Sequence, residues 1–338
     1  MMLYGSGLIP AQLSWQAWCL LLPWLALAAL LLDRIFAEPK RFHPLVAFGR
    51  WAAWLERRLN PEPGRATSSR RLRGCLAMLL ALSPLLPVVL IMYLSASSLW
   101  LWCVLNVLVL YSCIGWQSLQ AHVGAVAEAG SITAARERLA MIVSRETTEL
   151  DHDEVAQAAC ESLLENSSDA LFVSLFWFAL GAAPLALLHR WVNTLDAMWG
   201  YRNERYKTFG TCAARLDDIL AYWPARLTAL LFILVAGRHC VKGWRCWRQQ
   251  ARACSSPNGG VVMTSGAGAL NIRLSARACY HGQWKQKPAM GCGRPAQMAD
   301  IHGAIWLVRK SLWLLLFIWF FSVAVVVLFA WYGVSFVA

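Results

Sequence analysis

Residues 15–32 read WQAWCLLLPWLALAALLL and contain no charged side chain. A helix of about 18–20 apolar residues can cross the ~30 Å hydrocarbon layer of a bilayer. Five more apolar runs follow, at 75–94, 98–116, 170–188, 227–237 and 311–332. The first three runs and the last meet this length criterion without interruption. The sequence therefore predicts an all-α polytopic membrane protein with four clear transmembrane helices and two ambiguous apolar segments.

The composition supports this class. Of 338 residues, 58% are hydrophobic and only 15% are charged, far from the average soluble protein. Many tryptophans stand near run ends, where an amphipathic ring suits the headgroup region. The eleven cysteines form no C-x-x-C pair, so we expect them to be reduced packing residues. We predict a single integral membrane domain over residues 1–338.

The two ambiguous runs allow two topologies. Run 170–188 is interrupted by Gly181 and Pro184, and run 227–237 has only eleven residues. Both runs could cross the membrane, or both could be re-entrant or interfacial, which is tolerated where irregular backbone is buried in protein. We expect the second arrangement, because the loop between them, 190–226, holds residues that look catalytic and would cost energy to translocate.

The distribution of Lys and Arg predicts the orientation. Loop 33–73 carries ten basic residues against four acids, and loop 238–310 carries twelve against one. Both should face the cytoplasm. Loop 117–169 returns to the same side and is acidic, with ten acids against three arginines. We expect these loops to be largely helical and to contain the functional residues.

The acidic loop ends in E-S-L-L-E-N-S-S-D, which spaces Glu161, Glu165 and Asp169 by four. On an α-helix each is displaced only about 40° from the last, so the three carboxylates share a face. Like charges so close favour a bound cation. The pattern predicts a Mg²⁺ or ammonium site; the alternative is a solvated helix face.

Loop 190–226 is dense in polar residues, reading N-T-L-D-A-M-W-G-Y-R-N-E-R-Y from residue 193. Asn193 and Asp196 share a helix face, and Gly200 is expected to end that helix. Ligands for phosphate or carboxylate groups follow at Arg202, Arg205, Lys207 and Arg215. Asp217 and Asp218 offer metal ligands or a base. An electrostatic network that packs the loop is the alternative.

Two further loops hold candidate binding residues. Arg41 and His43 lie on a segment that Pro39 and Pro44 constrain at the membrane surface, although a solvated basic loop that fixes topology gives the same pattern. The string S-P-N-G-G at 256–260 predicts a turn whose backbone N–H groups bind an anion, with Asn258 and Gly259 at its centre. No familiar nucleotide motif occurs in the chain.

Together these strings resemble the CobD/CbiB family, the adenosylcobinamide-phosphate synthases of cobalamin biosynthesis. The resemblance runs from Asp33 to about Pro295 and is most specific from Asn193 to Ala229. The chain departs from the family pattern in three strings. The turn usually reads S-P-N-A-G, followed by an aromatic residue and Pro; the carboxylate helix usually has Thr and an apolar residue where this chain has two serines; and V-S-R-E-T replaces a usual Gly-Arg-Asp-Thr.

The resemblance implies an amide-forming ligase with active loops on the cytoplasmic side of the bacterial inner membrane. The family joins adenosylcobyric acid to (R)-1-aminopropan-2-ol phosphate, or an ethanolamine-type analogue, with ATP and Mg²⁺. Its partners are the corrinoid, the aminoalcohol phosphate, the lipid bilayer and other enzymes of the pathway, and no nucleic acid.

The resemblance also assigns roles to residues. The catalytic set is Glu165, Asp169, Asp196, Asp217 and Asp218. The substrate- and phosphate-binding set is Arg41, His43, Asn193, Arg202, Arg205, Arg215, Asn258 and Gly259. The metal set is Glu161, Glu165 and Asp218.

Two other functions compete. A non-catalytic sensor or regulator on the same fold would show loss of the block 193–218, which is intact here. A transporter would need ionisable residues in the middle of its spans, and the four clear runs contain none.

Overall fold

The structure is a computed structural model that describes residues 15–39, 43–60, 67–275, 277–280 and 282–331. These residues are mostly helical, which confirms the predicted fold class. The α-helices are Trp15–Phe36, Pro44–Leu59, Thr67–Leu82, Leu85–Ser95, Leu99–Cys113, Trp116–Ala127, Ile132–Ala140, His152–Ser167, Ser174–Trp199, Thr211–Val235, Cys240–Gln250, Gly259–Leu270 and Met298–Trp331. The polar segments between the apolar runs are thus largely helical as well.

The chain forms two compact units. The first unit comprises Met1–Gly115, Val173–Leu220 and Leu316–Ala338, and the second unit comprises Trp116–Phe172 and Ala221–Leu315. The chain passes from one unit to the other within or directly between helices, without a Pro- or Gly-rich linker, so no change of composition in the sequence marks this division. The single integral membrane domain stays a prediction.

Six helical segments of the described chain are long and apolar enough to cross a membrane, which indicates a multi-pass membrane protein. They are Ala17–Phe36, Ser69–Ser95, Leu99–Ala127, His152–Trp199, Thr211–Val235 and Met298–Phe329. The four clear runs are confirmed as helical segments of spanning length. The two ambiguous runs also lie in such segments. Run 227–237 looked too short because its helix begins at Thr211, among polar residues. Length no longer argues against crossing, and the re-entrant arrangement stays a prediction.

The interruption expected in run 170–188 is confirmed. Gly181 and Ala182 leave helical geometry, with φ and ψ of −152° and 28° and of 53° and −153°. Such a break leaves backbone N–H and C=O groups without their helical hydrogen bonds, and lipid tails offer no replacement partners. The fully buried Asn106 satisfies one of them, because its Oδ1 accepts a hydrogen bond from the Ala183 N–H at 3.0 Å. A polar side chain of another helix therefore stabilises the break.

Replacing Asn106 by Leu should destabilise the protein by about 1–3 kcal/mol, because the buried Ala183 N–H loses its acceptor. Thermal unfolding of the purified protein in detergent measures the effect. Leu108→Ala on the same helix is the control, since Leu108 is 50% exposed. The account of the helix break is wrong if the Asn106→Leu variant melts at the wild-type temperature.

Two helices of the second unit pack with their backbones in close contact. A Cβ atom on Gly268 would lie 2.8 Å from the Cα of Gly243 and from the carbonyl oxygen of Lys242. Small residues permit this approach between helices. In helix Gly259–Leu270 every residue except the last is buried. This packing holds the helix in place, and the S-P-N-G-G string ends in its first turn at Gly259 and Gly260.

Two short strand pairs follow in the second unit. Ile272–Arg273 pairs in parallel with Arg294–Pro295, and Arg277–Tyr280 pairs antiparallel with Gln283–Gln286. Lys287 comes directly after the last residue of this hairpin. The hairpin therefore determines where that lysine lies.

The expectation that all cysteines are reduced is wrong for one pair. Cys75 and Cys212 form a disulfide in the first unit, with their Cα atoms 5.6 Å apart. They are 137 residues apart in sequence, so no local spacing predicts the pair.

Candidate functional site

Two of the three predicted carboxylates meet in a cavity of the second unit. Glu161 and Glu165 lie one turn apart on helix His152–Ser167, as the spacing of four predicts. They line a cavity of about 400 Å³. Its other polar lining includes Arg145, Asn166, Ser255, Tyr280 and Lys287. We call this the carboxylate cavity.

The helix that carries both carboxylates has a well-defined start. Asp151 is its N-cap and accepts a hydrogen bond from the Glu154 N–H at 2.8 Å, while the Glu154 side chain accepts one from the Asp151 N–H at 3.1 Å. This reciprocal capping box satisfies two of the N–H groups that a helix start leaves unpaired. The cap fixes where the helix begins and therefore which residues reach the cavity.

Glu161 is held by two cations. Its Oε2 is 3.0 Å from Nη2 of Arg145, and its Oε1 contacts Nζ of Lys287. The side chains of Glu161 and Arg145 are only 3% and 8% exposed. Arg145 also donates to Oγ of Ser275 at 3.2 Å. Water therefore screens these interactions weakly, and removal of one member leaves a buried charge uncompensated.

The charge of Lys287 depends on its surroundings. Burial, and then the positive charge of Arg145, lower the pKa of Lys287 to about 7, whereas its contact with Glu161 favours the charged form. A lysine with a pKa near neutrality changes its charge within the working range of an enzyme.

The predicted three-carboxylate metal site is not assembled. Asp169 does not line the carboxylate cavity, because residues Ser168–Val173 form a π-helical turn. The wider turn ends the α-helical spacing on which the prediction depended. Among the described residues, no group of three or more His, Cys, Asp or Glu side chains is placed to hold a metal ion. The third member of the metal set, Asp218, belongs to the first unit.

The S-P-N-G-G turn does lie beside the carboxylates. A Cβ atom on Gly259 would be 2.6 Å from Oε1 of Glu165, so the absence of a side chain there lets the carboxylate approach the start of the helix. The predicted anion nest is wrong, however. The N–H groups of Asn258 and Gly259 donate to Oγ of Ser256 at 3.3 and 2.9 Å, and the Gly260 N–H donates to the Ser256 carbonyl at 3.0 Å.

The first unit holds a second polar cluster. Asp196 lies near the end of helix Ser174–Trp199, which Gly200 terminates as predicted. The charge of Asp196 interacts with that of Asp218, and the charge of Asp218 with that of Arg202. Asp217 and the exposed Arg215 are on the helix of Asp218. The structure therefore brings together three of the residues predicted in loop 190–226.

Other predicted residues have structural partners. Arg205 donates from Nε and Nη2 to the two carboxylate oxygens of the buried Glu56, at 2.9 and 3.1 Å. This favours the alternative in which an ion-pair network packs the loop. His43 is the N-cap of helix Pro44–Leu59, where its Nδ1 accepts the Leu45 N–H at 3.1 Å. Arg41 lies outside the described residues.

Asn193 belongs to a cluster that the sequence did not reveal. Its Oδ1 accepts from Nη1 of Arg190 at 3.4 Å. A Cβ atom on Gly115 would lie 2.5 Å from Oε1 of Glu38 and 3.7 Å from Nη2 of Arg190. Glu38 and Arg190 therefore lie close together, and the glycine leaves room for them.

The sequence also missed Lys287 and Arg226. Lys287 has no motif around it and reaches Glu161 only through the hairpin. Arg226 was quoted within P-A-R-L-T-A but received no role. Its presence inside a candidate span was the available signal, because a charged residue at such a position has a partner or faces a cavity.

Comparisons with known proteins identify the family. A family model described as "CobD/Cbib protein" matches residues 26–308. A protein of Chromobacterium violaceum named "Cobalamin biosynthesis protein CobD" is 50% identical over 291 residues, which cover 85% of this chain and 92% of the relative. A relative of the same name from Stutzerimonas stutzeri is 46% identical over 294 residues, covering 86% and 94%. One from Mycobacterium tuberculosis is 37% identical over 289 residues, covering 82% and 88%. None of the solved structures matches the chain.

Proposed function

The chain belongs to the CobD/CbiB family, and from this premise we propose that it catalyses the amide-forming step that the family resemblance implies. It acts in cobalamin biosynthesis and joins adenosylcobyric acid to (R)-1-aminopropan-2-ol phosphate or to an ethanolamine-type analogue. The product is adenosylcobinamide phosphate. ATP is consumed, and ADP and inorganic phosphate leave.

The observation that carries this proposal is the charge arrangement of the carboxylate cavity. Arg145, Lys287 and Glu161 together have a net positive charge, and Glu165 is a carboxylate one helical turn away. An aminoalcohol phosphate has an ammonium group at one end and a phosphate at the other. The cavity offers an opposite charge to each end. Its volume of about 400 Å³ suits a small polar substrate.

Formation of an amide from a carboxylate requires that one carboxylate oxygen become a leaving group. In the proposed reaction, an oxygen of the corrinoid carboxylate takes the γ-phosphoryl group of ATP, and the bond to the β-phosphate breaks. The nitrogen of the neutral amine then attacks the acyl carbon and loses one N–H proton, and inorganic phosphate leaves with that oxygen and that proton. Arg145 and Lys287 would bind the phosphate of the aminoalcohol phosphate and so position its amine for this attack.

Glu165 is proposed to accept the proton of the amine. An ammonium group cannot attack a carbonyl carbon, and an amine of ordinary basicity is protonated at neutral pH. The carboxylate of Glu165 would attract the ammonium group and take its proton at Oε1. General bases that act in this way contribute about 10²–10⁴-fold to the rate.

Mg²⁺ fits the described residues only in part. Glu161 is engaged by Arg145 and Lys287. The charge of Asp169 interacts with that of Glu165, the proposed base. Mg²⁺ is commonly held by one or two carboxylates together with substrate phosphates, so Asp169 and the substrate phosphates would hold the ion. When bound, the ion would neutralise charge on the transferring phosphoryl group.

The clusters of the first unit keep the roles that the resemblance suggests. We propose that Arg202 and Arg215, with Asn193, contact phosphate or the corrinoid, and that Asp196, Asp217 and Asp218 contribute carboxylates for a metal or a proton. Arg205 is engaged by Glu56, so we assign it to the packing of this loop.

We further propose that the protein lies in the bacterial inner membrane with its polar loops in the cytoplasm, where ATP and both substrates are found. The excess of Lys and Arg in loops 33–73 and 238–310 supports this orientation. We also propose that the protein contacts other enzymes of the pathway, so that the corrinoid is transferred directly from one enzyme to the next.

One assay tests the proposal. Purified protein in detergent receives adenosylcobyric acid, ATP, Mg²⁺ and either aminopropanol phosphate or ethanolamine phosphate, and the corrinoid products are identified by mass. We expect an amide that requires ATP, and the ratio of kcat/KM values identifies the preferred amine. The absence of amide product with both amines would refute the ligase.

The pKa of Lys287 leads to a pH-dependence. Because this pKa is lowered to about 7, the lysine is charged below that pH and becomes neutral above it. The KM for the aminoalcohol phosphate should therefore rise as the pH increases above about 7. In Lys287→Arg the side chain keeps its charge, so its KM should change less with pH. Equal pH profiles for the two proteins would exclude Lys287 as the titrating group.

A further inference from the structure

The second unit contains another cavity, with different chemistry. It has a volume of about 590 Å³. We call it the arginine–tryptophan cavity after the residues that define it, Tyr222, Arg226, Trp244, Trp247, Arg248 and Arg252. Among the described residues that line it there are three arginines and no Asp or Glu. Its charge therefore selects an anion.

Arg226 is held at the edge of this cavity. It lies within the candidate span Thr211–Val235, and charged residues in such segments mostly face a partner or a polar cavity and mark functional sites. Its Nη1 donates to Oδ1 of Asn258 at 3.0 Å, and its guanidinium carbon is 3.4 Å from the centroid of the Tyr222 ring. The asparagine of the S-P-N-G-G string thus orients an arginine.

The aromatic residues make the cavity suitable for a planar group. The rings of Trp244 and Trp247 pack edge to face, with centroids 5.3 Å apart and an interplanar angle of 70°, so a planar group can stack on the face of one ring and touch the other. The guanidinium of Arg248 is 5.9 Å from the Trp244 centroid. Bases stack on aromatic side chains and on guanidinium planes, and arginine binds phosphate oxygens in a bidentate manner. Nucleoside polyphosphates combine both groups.

The two cavities share a wall. Cys254 and Ser255 line the carboxylate cavity as well as the arginine–tryptophan cavity. A phosphate chain bound by the arginines would therefore lie beside the place proposed for the aminoalcohol phosphate. The carboxylate that takes the phosphoryl group is then attacked by the amine of that substrate, so the nucleotide and the aminoalcohol must bind close together.

We propose that the arginine–tryptophan cavity binds the nucleoside triphosphate, with the base against Trp244 and Trp247 and the phosphates on Arg226, Arg248 and Arg252. The inference rests on the proposed function, which requires ATP. It identifies the nucleotide-binding residues in a chain without a familiar nucleotide motif.

Binding of ATP to the purified full-length protein, measured by calorimetry without corrinoid or amine, tests this proposal. Each of Arg226→Gln and Arg248→Gln should weaken ATP binding roughly 10- to 100-fold, the usual effect of losing a charge-assisted contact. Arg245→Gln is the matched control, because Arg245 is an exposed residue of the same helix as Arg248 and does not line the cavity. Since Arg248 is exposed, its variant tests the proposal even if the Arg226 variant fails to fold.

Trp247→Ala tests the contribution of the base to binding separately from that of the phosphates. In the wild-type protein ATP should bind more tightly than inorganic triphosphate, and in this variant the difference should shrink. An ATP affinity that is unchanged in both arginine variants would overturn the proposal.

An anionic lipid headgroup presents the same phosphate chemistry, so the measurement is repeated in nanodiscs with and without anionic lipid. We expect ATP to bind in both. Loss of lipid binding in the arginine variants, with ATP binding intact, would assign the cavity to lipid and refute the nucleotide. If no amide product forms but the affinity for ATP still depends on the arginines, only the proposed ligase function is refuted. If amide forms and the affinity for ATP is unchanged in the arginine variants, only the assignment of this cavity to the nucleotide is refuted.

Discussion

Glu165→Gln should nearly abolish amide formation while the protein remains folded in the membrane. The substitution keeps the shape of the side chain but removes its negative charge, which attracts the ammonium group, and its ability to accept a proton. Loss of a general base costs about 10²–10⁴-fold in rate. Turnover of adenosylcobyric acid, followed by mass, gives the effect, and thermal unfolding in detergent should be close to that of the wild type.

The control for this variant is Asp153→Asn. Asp153 is an exposed acid in the first turn of the same helix, so its loss changes the net charge by the same amount without affecting the carboxylate cavity. Its turnover should stay near the wild-type value. If Glu165→Gln retained turnover comparable to this control, Glu165 would not be the base.

Glu161→Gln should have a different effect, because it lowers the stability of the fold as well as the rate of the reaction. Glu161 is the shared partner of Arg145 and Lys287 in a site with little exposure to water. Removal of one member of a buried ion pair typically costs about 3–5 kcal/mol. We expect a clearly lower melting temperature and no detectable product.

An exposed ion pair between this helix and the hairpin provides the comparison. Arg277 pairs with Glu154 at 2.8 Å and its side chain is 50% exposed. Arg277→Gln should change stability much less, since water screens exposed pairs. A melting temperature of Glu161→Gln as high as that of Arg277→Gln would show that the buried pairs do not stabilise the second unit.

The sequence predicts those features of this protein that depend on local periodicity. Long apolar runs predict the spans. A spacing of four puts Glu161 and Glu165 in the same cavity, and Gly200 ends its helix as expected. In each case the deciding interactions lie within a few residues along the chain.

The wrong predictions share a cause. Asp169 was assigned to the carboxylate face on the assumption of a continuous α-helix, and a π-helical turn intervenes. The N–H groups of the S-P-N-G-G turn were expected to bind an anion, but Ser256 accepts their hydrogen bonds. Lys287 and Arg226 received no prediction, and Arg205 was predicted to bind phosphate. All three meet their partners through tertiary packing, as when Arg205 pairs with Glu56 from a distant part of the chain. Single-sequence patterns do not record such contacts.

The most direct test of the central claim uses a corrinoid substrate whose reacting carboxylate carries a heavy isotope at both oxygens. The account predicts that one labelled oxygen appears in inorganic phosphate for each amide formed, because that oxygen leaves with the phosphoryl group. Amide formation without label in the phosphate would contradict the account, as would the absence of ATP-dependent amide.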